Sequence, residues 1–252
     1  MPSSPENKSL HAVPPAADAA HGPSASPPEL HAQVGSRGTR RLIATIVAAY
    51  DHPLVRWYSR IRFVILRQRF LDEIGQYLPE RGRVVDVGCG FGLFALYFAA
   101  THPGLTIRGI DLDEARIAMA TRAAARLGLR NASFERGDAT RLGLDGAVDC
   151  VYMLDIIHHI PRSAVLPLLE TIAGALASDG TLIVKDVDAR PFHKMAFTWA
   201  LDKLMDWKAD VNYWHSAAFS ALLRERGFQT YSHAMLDILP YPHVLHVARP
   251  RR

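Results

Sequence analysis

The chain is poor in cysteine, and it has no long apolar run. Its 252 residues include two cysteines, Cys89 and Cys150. Two cysteines so far apart make no disulfide framework and offer no Cys/His spacing for zinc. They fit a reducing compartment and a buried packing role, and no metal is expected. No apolar segment approaches the roughly 18 residues needed to span a membrane. The N-terminus lacks the basic patch and apolar core of a secretory leader, so the expected location is cytoplasmic. Charge is modest as well, at +4 net, and no nucleic-acid recognition module accompanies it, so no nucleic-acid partner is expected. Acids are scarce in one stretch in particular. Between residues 37 and 70, Arg37, Arg40, Arg41, Arg56, Arg60, Arg62, Arg67 and Arg69 face a single acid, Asp51.

What is present divides the chain in three. Residues 1–36 are rich in Ala, Pro and Ser, without apolar periodicity. Such a segment buries too little surface to offset the entropy of ordering it, so it reads as a disordered tail. Its histidines His11, His21 and His31 have no neighbouring ligands and read as solvated. Residues 37–80 read as a helical segment that caps the domain. Pro53 suits a helix first turn, and the helix, or two short ones, runs towards Tyr77. Its apolar residues lie nearly all round the wheel with arginines between them. Packing over the domain with snorkelling arginine stems is one reading. Contact with anionic lipid or an acyl substrate is the other, which makes a peripheral membrane contact through residues 37–70 a partner hypothesis.

From residue 81 to the end, strands and helices alternate, which implies an α/β fold with a largely parallel sheet and helices on both faces. Strands are expected at 84–87, 106–110, 132–135, 148–153 and 181–187. Helices are expected at 93–100, 113–127 and 162–176. Ser216 is placed to cap a helix over 217–227, with two last strands near 229–236 and 243–248.

The run VVDVGCGFG at 84–92 is the most informative segment. A buried strand carrying one acid, Asp86, enters a loop with Gly88, Gly90 and Gly92 at alternate positions, and a helix follows. Glycine there permits positive φ and close backbone approach to a ligand. The spacing GxGxG differs from the dinucleotide GxGxxG. An acid just ahead of the loop disfavours a phosphate and suits a cationic or hydroxyl donor. Two more acids end the next strands. Asp111 closes IRGID, where a carboxylate can accept from both ribose hydroxyls, and Asp113 is close by. Asp138, in FERGDA, can accept from an exocyclic amine. For each acid taken singly, a helix cap or a solvated loop residue is an equal reading.

Together these segments resemble the class I S-adenosylmethionine-dependent methyltransferases. VVDVGCGFG resembles that family's first motif, IRGIDLD its acidic ribose motif and FERGDA its adenine motif. DCVYMLD at 149–155 resembles its fourth strand, and LASDGTLIV at 176–184 its glycine turn and fifth strand, with Asp179 in place of the first glycine. The resemblance covers residues 37–249. It implies a Rossmann-like seven-stranded sheet whose last strand is antiparallel, and S-adenosyl-L-methionine as cofactor. It implies cofactor contacts at Asp86, Gly88, Cys89, Gly90, Gly92, Asp111, Leu112, Asp138, Ala139 and Leu154.

The acceptor should then lie outside the carboxyl ends of the strands. DIIHHIP at 155–161 falls there, so Asp155, His158 and His159 are candidate catalytic residues, imidazole being suited to proton transfer near neutral pH. In the resemblance, paired histidines after this strand recur with varied substrates, so one of them can instead shape the loop. A long insertion at 189–213 follows the fifth strand, with a helical pattern at 195–207. It reads as a lid over the acceptor, or as a packing helix or homodimer surface. Asp186, Asp188, His193, Tyr213 and His215 are further polar residues near that mouth. The expected acceptor is a small apolar or aromatic molecule, such as a phenol. In general character the arginine-rich helix and lid also resemble methyltransferases of aryl-polyene and polyketide-lipid pathways. A prenyl or fatty-acyl lipid at a membrane surface is the alternative. The chain has no NPPY-type tetrapeptide of base-methylating relatives. A non-catalytic subunit that binds an adenosine cofactor is the rival from another class.

Overall fold

The computed structural model describes residues 36–66, 68–144, 146–188, 212–235 and 243–251. The tail at 1–35 and most of the insertion, including the helical pattern at 195–207, lie outside the described residues. Three helices open the fold: α1 (Ser36–Ala48), α2 (Pro53–Ile65) and α3 (Gln68–Gly75). Strands and helices then alternate as β1 (Gly82–Val87), α4 (Leu93–Thr101), β2 (Leu105–Asp111), α5 (Glu114–Leu127), β3 (Ala132–Arg136), β4 (Val148–Leu154), α6 (Arg162–Ala175) and β5 (Leu176–Val187). The chain ends with α7 (Ser216–Glu225), β6 (Phe228–Ala234) and β7 (His243–Pro250).

The seven strands form one sheet in the order β3-β2-β1-β4-β5-β7-β6. β1 to β5 pair in parallel, and β7 runs antiparallel to both β5 and β6. The order reverses between β1 and β4, so a crevice opens above their carboxyl ends. Alternation along the strands sends side chains to two cores. Val84, Cys150, Tyr152 and Ile183 face the layer of α1 to α5. Val85, Val87, Val151, Met153 and Val184 face that of α6 and α7. α4 is apolar all round and buried from Leu93 to Ala100, because the sheet lies below it and the N-terminal helices above.

The segment from Pro53 forms the two-helix alternative, broken at Leu66, whose φ of −90° and ψ of 81° leave the helical region. Other boundaries differ from expectation for physical reasons. Ser216 is the first residue of α7 and not its cap; His215 takes that place without a side-chain bond. β5 begins early because Leu176 pairs with Val148, after which the LASDG turn bulges out and pairing resumes between Cys150 and Thr181. The N-terminal helices are tied down at several points. The Tyr50 hydroxyl donates to the Phe91 carbonyl at 2.6 Å, Asp51 pairs with Arg122 and Arg126, and Glu73 meets His233.

Candidate active site

One large cavity, of about 1010 Å³, opens above the crevice. That is the upper end of the roughly 300–1,000 Å³ common for small-molecule sites, so it leaves room for two ligands side by side. Two differently lined halves meet in it.

The first half is acidic and is built on the glycine loop. Gly88, Gly90 and Gly92 have φ of 76°, 56° and 74°, a region that favours glycine. Their further reasons differ. A Cβ on Gly88 would strike Ile156 at 2.5 Å, and one on Gly92 would strike Phe134 at 2.6 Å. A Cβ on Gly90 would meet nothing within 4 Å, so this residue faces open space. The Gly90 amide donates to Asp111 Oδ2 at 2.8 Å, and Asp111 Oδ1 accepts from the Asp113 amide at 3.0 Å. Asp111 therefore braces the loop and keeps a second acceptor site on each oxygen. Asp113 caps α5. Asp138 accepts from the amide and hydroxyl of Thr140, both at 2.8 Å, and those bonds hold its carboxyl below the usual range.

Asp86 lies beneath the loop and is 2% exposed. Its Oδ2 is buried and has no hydrogen-bond partner among the described residues. Burial pushes its carboxyl up to about 8, against the influence of Tyr152 beside it, and the charge of Asp111 pushes the same way. An orphaned carboxylate oxygen at the cavity, next to an open glycine, is the environment that an ammonium group would satisfy. Asp111 and Asp138, which also line the cavity, disfavour a pyrophosphate. The residues present thus fit S-adenosylmethionine, which carries two cationic centres and no phosphate.

Asp86, Gly88, Cys89, Gly90, Asp111, Leu112, Asp138, Ala139 and Leu154 all line this cavity. Gly92, expected among them, does not. It sits behind the loop as the left-handed N-cap of α4, where Phe134 and Ala120 leave no room for a side chain. Cys89 and Cys150 are buried free thiols whose pKa burial pushes up.

The second half is aromatic, with a charged floor. Trp57, Tyr58, Ile61 and Ile65 of α2 line it, facing Phe94, Ile160 and Pro161. Asp155 has a φ of 59°, rare outside glycine though tolerated by Asp, and its side chain anchors the turn. Its Oδ1 accepts from Lys185 Nζ and its Oδ2 from Arg62 at 2.8 Å. Burial opposes the charge of Asp155, but Lys185 and Arg62 outweigh it and hold the carboxyl well below the usual range. Burial pulls Lys185 down, and Asp155 opposes that. Nearby, burial and then Lys185 lower His243 to about 2, so its ring is neutral.

His158 and His159 follow on a 3-10 turn, and both line the cavity. His158 is 3% exposed, and its Nδ1 meets Asp186 Oδ1. The other Asp186 oxygen accepts from the His158 backbone amide at 3.0 Å. Tyr213, at the end of the insertion, stacks on the His158 ring with centroids 5.5 Å apart, and the Asn212 amide donates to the His158 carbonyl. The His159 ring lies 4.1 Å from that of His158 on the more exposed side.

A family model described as a methyltransferase domain matches residues 58–233. The chain belongs to the methyltransferase domain family. Among curated proteins, a trans-aconitate 2-methyltransferase from Variovorax paradoxus is 35% identical over 121 residues, covering 47% of this chain and 44% of that protein. The chain therefore spans less than half the length of that relative. Among solved structures, the YcgJ protein from Bacillus subtilis has a TM-score of 0.59 at 17% identity, covering 74% of this chain and 100% of that one. A SAM-dependent methyltransferase from Methanosarcina mazei has a TM-score of 0.58 at 19% identity, covering 71% and 97%. At these identities the likeness is one of fold, and it is the Rossmann-like methyltransferase fold that the sequence motifs imply.

Within this family frame, three site residues escape sequence reading alone. Arg62 and Lys185 reach Asp155 from elements 93 and 30 residues away. Asp186, readable only as a polar residue near the mouth, proves to be the partner of His158. The pairing of Leu154 with Lys185 in neighbouring strands brings Lys185 and Asp186 to this turn, and α2 lying over the sheet brings Arg62.

Proposed function

We propose that the protein transfers a methyl group from S-adenosyl-L-methionine to a small apolar or aromatic acceptor, such as a phenolic or polyketide-type head group. The observation that carries this reading is one cavity in which an acidic glycine-loop half adjoins an aromatic half bearing a His–Asp pair. S-adenosylmethionine, when bound, supplies an already activated methyl group on a sulfonium. In this reading Asp86 pairs with the ammonium group and Gly88, Cys89 and Gly90 let the backbone approach it. Asp111 accepts from the ribose hydroxyls. Asp138, Ala139 and Leu112 hold the adenine, and Leu154 closes the floor.

The chain's own work is then alignment and proton removal. Trp57, Tyr58, Phe94 and Ile160 enclose an apolar acceptor and exclude water. Asp186 keeps the proton of His158 on Nδ1, so Nε2 is the atom that takes the acceptor's proton. His159 is the second base candidate. Asp155, held charged between Lys185 and Arg62, has almost no proton affinity near neutral pH and serves here to position the turn carrying the histidines. The test is release of S-adenosylhomocysteine over a panel of phenolic and polyketide-type acceptors. Turnover with wild type and its loss in His158→Gln support the reading. Cofactor binding without turnover on any acceptor would favour a non-catalytic cofactor-binding subunit.

A second reading is favoured by the apolar side chains that α2 leaves in solvent. In it the acceptor is a prenyl or fatty-acyl lipid presented at a membrane surface.

A further inference from the structure

The N-terminal helices bury most of their apolar residues, but α2 does not bury all of them. Leu54 is 68% exposed, Trp57 59% and Val64 64%. At about 100° per residue these three fall within a stripe roughly 80° wide. Along one edge of the stripe stand Arg56 and the exposed Arg60. Ile61 falls within the stripe and Ile65 just beyond its other edge, and both line the cavity together with Trp57. An apolar surface thus runs from solvent, over Trp57, into the acceptor half of the site.

The surroundings are basic. α1, which packs on α2, exposes Arg40 and Arg41. Neither α1 nor α2 carries an acid, and Asp51, in the turn between them, is paired with Arg122 and Arg126 of α5. An apolar helical stripe edged by arginine, on helices that carry no acid, matches the surface of an anionic bilayer. A second copy matches it poorly. Antiparallel two-fold pairing through this stripe would set the Arg56–Arg60 edge against the same edge of the copy, with no carboxylate on either helix. Three side chains also offer much less than the roughly 800 Å² per partner of a stable interface.

We propose that the exposed edge of α2 docks on an anionic lipid surface, and that the track over Trp57, Ile61 and Ile65 is the entry for the apolar part of an amphiphilic acceptor. The docking stands on α2 alone. The identity of what enters rests on the methyl-transfer reading.

The test is co-sedimentation with phosphatidylcholine vesicles, with and without phosphatidylglycerol, at low and high salt. Wild type should sediment with the phosphatidylglycerol vesicles at low salt and release as salt rises. The double variant Leu54→Glu with Val64→Glu should lose at least tenfold in partitioning. Arg60→Glu should lose more than the roughly fivefold that one arginine contributes, because it reverses the charge. Both variants lie outside the cavity lining and should bind S-adenosylmethionine in calorimetry like wild type, which also shows that they fold. Absence of vesicle binding at low salt overturns the proposal, and so does a double variant that sediments like wild type. A wild-type dimer that the double variant dissociates, with no vesicle binding, overturns it in favour of self-association. Vesicle binding by a protein that does not bind S-adenosylmethionine would contradict the methyl-transfer reading and leave the docking in place.

Discussion

Asp86 is the residue whose titration should report cofactor entry. With its carboxyl pushed up to about 8 by burial, the free protein carries a proton there at pH 7. An ammonium placed beside it favours the charged form and expels that proton. Titrations with S-adenosylmethionine in buffers of different ionisation enthalpy should therefore show net proton release below pH 8. Asp86→Asn should abolish it. The same shift has a sign for stability. The folded chain binds this proton more tightly than the unfolded chain, so the Asp86 contribution falls as pH rises from the ordinary carboxylate range through about 8. The slope is of the order of 1 kcal/mol per pH unit, and Asp86→Asn should flatten it in urea titrations of the free protein. At the same scale, His158→Gln should lower kcat by roughly 10²–10⁴-fold with little change in cofactor affinity. Asp186→Asn should lower kcat to a comparable extent and shift the pH profile, since a ring that carries its proton on Nε2 cannot accept another there.

At the scale of elements, the site is held where α2, β4 and β5 meet. Asp155 is the shared contact, through Arg62 from α2 and Lys185 from β5. Removing the carboxylate leaves the fully buried Lys185 without its counter-charge. Asp155→Ala should destabilise the fold by about 3–5 kcal/mol in denaturant titration. Arg62→Met should cost less, because Arg62 keeps 20% of its side chain in solvent and its loss leaves Asp155 still paired. Strand and loop positions were legible in the sequence because period-2 apolar runs and glycines act over a few residues. The break at Leu66 was not, since neither Gly nor Pro marks it. Nor was the basis of Gly92, which is set by Phe134 packing beneath the loop from β3. Arg62, Lys185 and Asp186 were hidden for the same reason. Their roles depend on register between strands and on a helix folding back over the sheet.

Across the whole molecule, the reversal of strand order between β1 and β4 decides where chemistry can occur. The cofactor half of the cavity hangs on β1, β2 and the turn after β3, and its acids follow one another in sequence, so motif reading reached it. The acceptor half draws on α2, β4, β5 and the end of the insertion, which come together only on folding. No helix among the described residues is long and apolar enough to cross a membrane. Function in this reading depends on the acidic half holding S-adenosylmethionine beside the His158–Asp186 pair. Calorimetric titration with S-adenosylmethionine tests it most directly, run on wild type and on Asp111→Ala. Saturable binding by wild type, weakened at least tenfold by the loss of hydrogen bonds to a charged acceptor, is the predicted result. Failure of wild type to bind, or equal binding by Asp111→Ala, would contradict it.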